Sequence, residues 1–266
     1  MEAYRELHGK LLSEGDEDPS LKKTIKFLII QTDEFLVYID TNLEIQWDHS
    51  NKVNTGEEFG LVLNRVAYLE SSARFINDSN SLLSIKRLIA EGIARYLAFS
   101  SIKLSSDIHD LVEAQIKEMN IKTSWNWYFD AAYWLTFSCL IIWGLIWLER
   151  DFVTLHIGRI GFEVILGGLI GSIGAIISII SRGDKINLDA NAGKAIHLTE
   201  GIARIIVGIA GASLVALAYE GGILFSGLKF QGNQFAVLLT LAIVAGTSER
   251  LVPSLISKVE DIPLTK

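Results

Sequence analysis

The stretch AAYWLTFSCLIIWGLIWL, residues 131–148, decides the fold of this 266-residue chain. It has eighteen residues and no charge, close to the roughly 20 apolar residues that a helix needs to cross a hydrocarbon core of about 30 Å. Trp127 and Trp147 would lie about 30 Å apart in a helix with a rise of about 1.5 Å per residue. That separation matches the two interfaces where aromatic rings concentrate. The stretch therefore predicts a membrane-spanning helix.

Three further apolar stretches follow, at residues 160–181, 205–219 and 235–248. The last two are short, and they reach a spanning length only if Arg204, Glu249 and Arg250 lie at or just inside the interface. We predict membrane spans over about 127–148, 160–181, 203–220 and 234–252. The alternative is the buried helical core of a soluble protein, and the tryptophan belts and the glycine content argue against it.

The distribution of cations predicts the orientation. Four spans place the N-terminal region, residues 182–204 and the C-terminal tail on one side, and these carry nine Lys or Arg near membrane ends. Residues 149–159 and 220–234, on the other side, carry three. The excess of positive charge predicts that both termini are cytoplasmic. The expected fold class is a mainly α, polytopic membrane protein with a four-helix transmembrane bundle.

An N-terminal cytoplasmic domain, residues 1–123, is expected to precede a transmembrane domain, residues 124–266, and to have a sensory or regulatory role. Most of it should be helical. A capping box at Thr55 and Glu58 predicts a helix over about 56–76. N-cap residues from Asp78 onward predict a second helix over about 81–100. A third helix should begin near Ser105 and end at a juncture over residues 120–124.

Residues 21–47 admit two interpretations. Three apolar blocks, at residues 25–30, 35–39 and 43–47, are separated by short polar segments, which is typical of a three-stranded β-meander. Positions 21, 25, 28, 36 and 39 also share one face of a helix. The sequence favours the strands and leaves the helix open.

Charge excludes one class of function. Residues 1–123 hold 14 Lys or Arg and 20 Asp or Glu, a net charge of −6, within a total of −7 for the chain. An acidic domain is unsuited to general nucleic-acid binding through a basic surface. A local anion site would require convergence of the basic residues of its helices, which are Arg65, Arg74, Lys86, Arg87 and Arg95.

Small residues mark the second and third spans. We call Gly167, Gly171, Gly174, Gly208 and Ala212 the small-residue strip. Small side chains let helix backbones approach closely in lipid, where no hydrophobic force drives helices together. The strip predicts tight helix packing, either within one chain or between the subunits of a homo-oligomer.

Charged residues beside the spans are the functional candidates. His197, Glu200, Arg204, Glu249 and Arg250 form a predicted inner charge cluster, with a role as a gate. The first three share a helix face with Gly208, and Arg204 with Glu249, or Glu200 with Arg250, could form ion pairs that offset the cost of charge at the membrane edge. At the opposite end, Glu163 and Glu220 form a predicted outer acidic mouth that in an oligomer would favour cations.

Signals for an enzyme are weak. Gly211, Ala212 and Ser213 resemble the GxS of intramembrane serine proteases, but Leu214 occupies the position of their second glycine. The sequence has no HExxH, phosphate-binding loop or paired metal-ligand motif. Its one cysteine, Cys139, lies in the first span and fits apolar packing. We therefore expect no enzymatic activity, no catalytic residue, no cofactor and no metal site.

Two segments carry a resemblance: LDANAGKAIHLTEGIARIIVG, residues 188–208, and AGTSERLVPSLISK, residues 245–258. They resemble segments of uncharacterised bacterial multi-pass membrane proteins. In organisation the chain is similar to membrane effectors of bacterial anti-phage systems, including Hailong-type channel effectors. That resemblance implies an oligomer in the inner membrane, permeabilisation of that membrane, and a nucleotide, oligonucleotide or regulatory protein as the cytoplasmic signal. It assigns no ligand-binding residue.

The expected function is therefore an oligomeric inner-membrane channel or pore-forming effector, gated by its cytoplasmic domain. The competing hypothesis is a non-conducting membrane anchor or scaffold for that domain. A pore should depolarise cells that overproduce it, whereas a scaffold should not.

Overall fold

A computed structural model describes residues 11–50, 53, 55–182, 188–224 and 233–248. Its strands are β1 (Glu17–Asp18), β2 (Lys23–Gln31), β3 (Phe35–Asp40) and β4 (Ile45–His49). Its α-helices are α1 (Glu57–Ser72), α2 (Ser79–Phe99), α3 (Ile102–Leu148), α4 (Arg150–Ser181), α5 (Lys194–Glu220) and α6 (Gln234–Thr247). The described chain is thus mainly helical, with one small sheet. Two compact units divide at residues 122 and 123.

The strands form an antiparallel meander in the order β1-β2-β3-β4. The strands predicted over the three apolar blocks are thereby confirmed. Strand β1 was not predicted, because its two residues are both acidic. All six residues of β3 are buried, because β3 pairs on both edges and helix α2 packs against β2 and β3. On one face, Leu36 and Tyr38 pack with Ile25 and Leu12.

Two buried carboxylates order this sheet. The Tyr38 hydroxyl donates to Asp18 at 2.8 Å, and burial together with that carboxylate raises the pKa of Tyr38. Asp40 accepts from the backbone amides of Asn42 and Glu44 at 2.8 and 2.9 Å and so closes the β3–β4 turn. Burial opposes ionisation of Asp40, but these amide donors outweigh it and hold its pKa below the ordinary value.

Of the two predicted helix N-caps, one is correct and one is wrong. Asp78 is the N-cap of α2 and accepts from the amide of Ser81 at 2.8 Å, as predicted. The capping box at Thr55 is wrong, since the N-cap of α1 is Gly56 and no side chain caps that end. Helix α1 also ends at Ser72, four residues before the predicted end.

Helix α3 contradicts the predicted juncture at residues 120–124. It runs unbroken for 47 residues from Ile102 to Leu148, and neither Gly nor Pro stands in that juncture to end it. In the first unit, His109 is buried and its Nε2 donates to the carbonyl oxygen of Ile89 at 3.1 Å. In the second unit, Tyr128 and Ala132 of the same helix are buried in another core.

Three helices of the described residues, α3, α4 and α5, are long and apolar enough to cross a membrane. Helix α6 is apolar but has fourteen residues, about 21 Å at the usual rise. The end of the predicted fourth span, after Ser248, lies outside the described residues. The predicted loop at 149–159 is wrong, because α4 begins at Arg150 and only Gly158, at φ 77° and ψ 165°, departs from helical geometry.

Candidate functional site

The small-residue strip lies inside one chain, where α4, α5 and α6 meet. A β-carbon on Gly167 would lie 3.0 Å from the β-carbon of Ala216 and 3.1 Å from Leu238. One on Gly171 would overlap Ala212 and lie 3.0 Å from the carbonyl oxygen of Gly208. The tight helix packing predicted from the strip is present.

The closest approach of the three helices is between backbones. A β-carbon on Gly174 would come closer than 3.0 Å to the backbone of α6 at Ile243 and Gly246, and one on Gly246 would overlap the backbone of Gly171. Gly208 is likewise blocked by Ala175. These positions are consequently occupied by contacts within the chain. The sequence left open whether the small-residue strip packs within one chain or between subunits, and the described contacts are within the chain.

The inner charge cluster is placed in part. Glu200 and Arg204 line a cavity of about 270 Å³ between α4, α5 and the end of α6. Its other walls are mainly apolar and include Ile179, Val207 and Ala245. Glu249 and Arg250 lie outside the described residues, so neither predicted ion pair can be placed.

His197 has a different setting from the other members of that cluster. Its side chain is buried, and its Nε2 donates to the carbonyl oxygen of Asp189 at 2.7 Å. Its Nδ1 is buried and has no hydrogen-bond partner among the described residues. The ring lies 6.1 Å from that of Trp127 on α3. His197 therefore ties the turn before α5 to the bundle, and it faces α3 and not the cavity.

Glu163 and Glu220, the predicted outer acidic mouth, come together within one chain. Glu163 is only 6% exposed, and its Oε1 accepts from Nε of Arg159 at 2.7 Å. Glu220 is half-buried, and its carboxyl group lies beside that of Glu163. The pair is thus joined to a cation that the sequence-based prediction left out, although the i, i+4 spacing of Arg159 and Glu163 could have indicated it.

Helix α3 packs on the other three through one face. Tyr128 and Ala132 join a buried cluster with Ile179 and Ile205, and a β-carbon on Gly201 would lie 2.6 Å from the carbonyl oxygen of Tyr128. Near the other end, the Trp147 ring stacks on Phe162 and on Phe235, with centroids 6.4 and 5.5 Å apart. The sequence analysis did not single out Gly201, since one small residue gives no pattern.

Four of the five basic residues that a local anion site would require, all except Arg74, have separate partners. Arg65 forms ion pairs with Asp110 and Glu113, Lys86 with Glu70, and Arg95 with Glu91, and Arg87 lies 3.8 Å from the Phe27 ring centroid. An anion site would have to displace these partners. Among the residues described, no group of three or more His, Cys, Asp or Glu is arranged to hold a metal ion.

The chain matches no family model, no curated protein and no solved structure. Its site must therefore be interpreted from its own geometry.

Proposed function

We propose that the chain is an oligomeric channel or pore-forming effector of the bacterial inner membrane, gated by its N-terminal domain and acting in anti-phage defence. Its four-helix bundle, α3 to α6, would span the membrane with both termini in the cytoplasm. The defence role and the signal, a nucleotide, oligonucleotide or regulatory protein, come from the architectural resemblance to membrane effectors.

One observation carries the proposal: Glu163 is buried inside an apolar bundle, beside a second carboxyl group, that of Glu220. Ionisable side chains within membrane helices are costly and commonly mark ion or proton pathways. A bundle that served only as an anchor would not need this ion pair, since apolar residues at both Glu163 and Arg159 would avoid the desolvation cost of the charges.

The packing limits where a conduit can lie. The small-residue strip closes α4, α5 and α6 against one another at its own level, so the cavity beside Glu200 and Arg204 lies at one end of the contact and is not an aqueous path through the three helices. A conduit would then lie between several copies. Glu220 is half-buried and Glu163 is buried. Glu220 would therefore face the conduit, and Glu163 with Arg159 would hold it in place.

Helix α3 supports control by the N-terminal domain. It contributes Val112 and Ile116 to the first unit and Tyr128 and Ala132 to the second, without a break between them. A continuous helix resists bending more than a flexible linker does, so displacement of one end should reach the other.

The test is ion selectivity, with purified protein in planar bilayers and membrane potential in overproducing cells. Wild-type protein should depolarise cells, and its channels should favour cations under a salt gradient. The Glu220→Gln variant should lower that cation preference several-fold without reducing membrane insertion. Asp151→Asn is the control, because that carboxylate is 99% exposed and carries the same charge.

Two results would contradict the proposal. Full insertion of wild-type protein without depolarisation would overturn conduction. Conduction with unchanged selectivity in Glu220→Gln would overturn the role of the outer acidic mouth.

The second candidate is a non-conducting anchor or scaffold. One observation favours it: the described contacts of the small-residue strip are all within the chain, so the strip supplies no surface for assembly. A monomer in nanodiscs that never conducts would support this function.

A further inference from the structure

The first turns of α4 are distinct from the rest of the helix. Residues 150–157 are helical, and Gly158 then adopts φ 77° and ψ 165° before the helix resumes. A positive φ is strained for residues with a side chain, so glycine permits this break. Eight residues at the usual rise make a segment about 12 Å long. The segment can therefore take a direction of its own.

Exposure shows that this segment has two faces. Phe152 and Leu155 are 62% and 82% exposed, and residues three apart lie about 60° apart around a helix. Val153 and Thr154 point to the other side and are half-buried. The outward face of the segment thus presents two large apolar side chains between the exposed Asp151 and His156, an arrangement that water alone does not favour.

The position of the segment in the chain identifies what covers that face. Glu149 alone separates it from α3, whose apolar stretch ends at Leu148, and the apolar stretch of α4 begins at Ile160. A segment that joins two adjacent spans must lie at a membrane surface. The neighbourhood of Arg150 also indicates a position at the membrane surface. Its guanidinium lies 5.9 Å from the ring centroid of Trp147, and tryptophan concentrates at the membrane interface.

We propose that residues 150–157 form an interfacial helix that lies in the plane of the membrane, with Phe152 and Leu155 inserted among the lipid acyl chains. Such helices bury an apolar face at the boundary between headgroups and acyl chains. A groove of about 540 Å³ beside the segment is lined by Leu155 and Phe162 together with Thr154, Arg150 and Asp151, so apolar and charged side chains meet there as they do at the boundary between acyl chains and headgroups. The inference rests on membrane insertion and is independent of conduction.

The charges of the segment indicate which lipids it accepts. Two acidic residues, Glu149 and Asp151, balance two basic ones, Arg150 and Arg159. Insertion therefore depends on the apolar face and not on attraction to anionic headgroups. It should be the same in vesicles of zwitterionic lipid and in vesicles containing anionic lipid.

The test is the depth of a nitroxide label in nanodiscs, measured from its relative exposure to oxygen and to a water-soluble nickel complex. Single cysteines replace Leu155, Arg150 or Ile141 in a Cys139→Ser background. A label at Leu155 should be accessible to oxygen and protected from nickel, and one at Arg150, about 140° away around the helix, should show the reverse. Ile141, exposed on the apolar stretch of α3, is the control for insertion.

Three results would overturn the inference. The first is a Leu155 label as accessible to nickel as the Arg150 label, which would place the segment in water. The second is spin–spin broadening at Leu155, which would show that a second copy covers the face. The third is a Leu155 label that is protected from nickel with anionic lipid but not with zwitterionic lipid, which would show that insertion depends on anionic headgroups. If the Ile141 label is itself in water, insertion has failed, and the proposed channel fails with it.

Discussion

Replacing Gly171 with alanine tests whether the small-residue strip holds the bundle of one chain together. The new β-carbon would overlap the Ala212 methyl group and lie 3.0 Å from the carbonyl oxygen of Gly208 and 3.6 Å from that of Ala242. Ordinary contacts lie at 3.4–4 Å. Helix α4 would therefore have to move away from α5 by roughly 1 Å, because neither neighbour is a flexible side-chain end.

The cost follows from dispersion forces. A gap of about 0.5–1 Å forfeits a quarter to a half of the attraction between the atoms that it separates. Summed over the helix faces that meet at Gly171, the loss should be about 2 kcal/mol, within the range of overpacked cores. Gly144→Ala is the matched control, since its β-carbon would meet nothing within 4 Å and the change should leave stability equal or raise it by up to about 1 kcal/mol through the higher helix propensity of alanine.

The assay is unfolding in mixed micelles with increasing SDS, followed by tryptophan fluorescence, with mass photometry of the oligomeric state beside it. Gly171→Ala should shift the unfolding midpoint to lower SDS and leave the subunit number of the folded protein unchanged. Equal stability of Gly171→Ala and Gly144→Ala would refute the packing argument. Loss of an oligomer without loss of stability would place the strip between subunits.

Two further predictions concern the N-terminal unit. Asp78→Ala should lower the thermal midpoint of this unit by a few degrees, because the N-cap of α2 is lost. Thr55→Ala should leave the midpoint unchanged, because Thr55 does not cap α1. Equal effects of the two changes in a thermal scan would contradict the assignment of Asp78 as the cap. The lowered pKa of Asp40 means that its stabilisation is present above the ordinary value of about 3.9 and is lost as pH falls through the lower, folded-state pKa. Asp40→Asn should therefore be less stable at neutral pH and should show a shallower loss of stability below about pH 4 in an acid titration followed by circular dichroism.

Sequence alone determined the features that depend on local pattern. The length and apolarity of residues 131–148 and 160–181 identify helices able to span a membrane, because the bilayer sets a minimum length that each segment must satisfy by itself. The blocks of the meander and the cap at Asp78 were also predictable, since strand alternation and N-cap hydrogen bonds involve neighbours in the chain.

Some errors arose where two local signals competed. Thr55 and Glu58 have the spacing of a capping box, but Gly56 adopts the extended backbone of the N-cap position instead. The polar residues at 120–124 suggested a juncture, yet polar residues other than Gly and Pro are compatible with a helix, and α3 continues through them. The sequence did not indicate which signal prevails.

Only the tertiary structure decided which surfaces meet. The small-residue strip could equally have served a neighbouring subunit, and the contacts of Gly171 with Ala212 and Gly208 place it within the chain. Glu163 and Glu220 lie side by side although they are 57 positions apart, and no local pattern specifies such a pair. The physical reason is that periodicity shows which face of a helix is apolar, small or charged, whereas the partner of that face depends on how separate helices fit together in three dimensions.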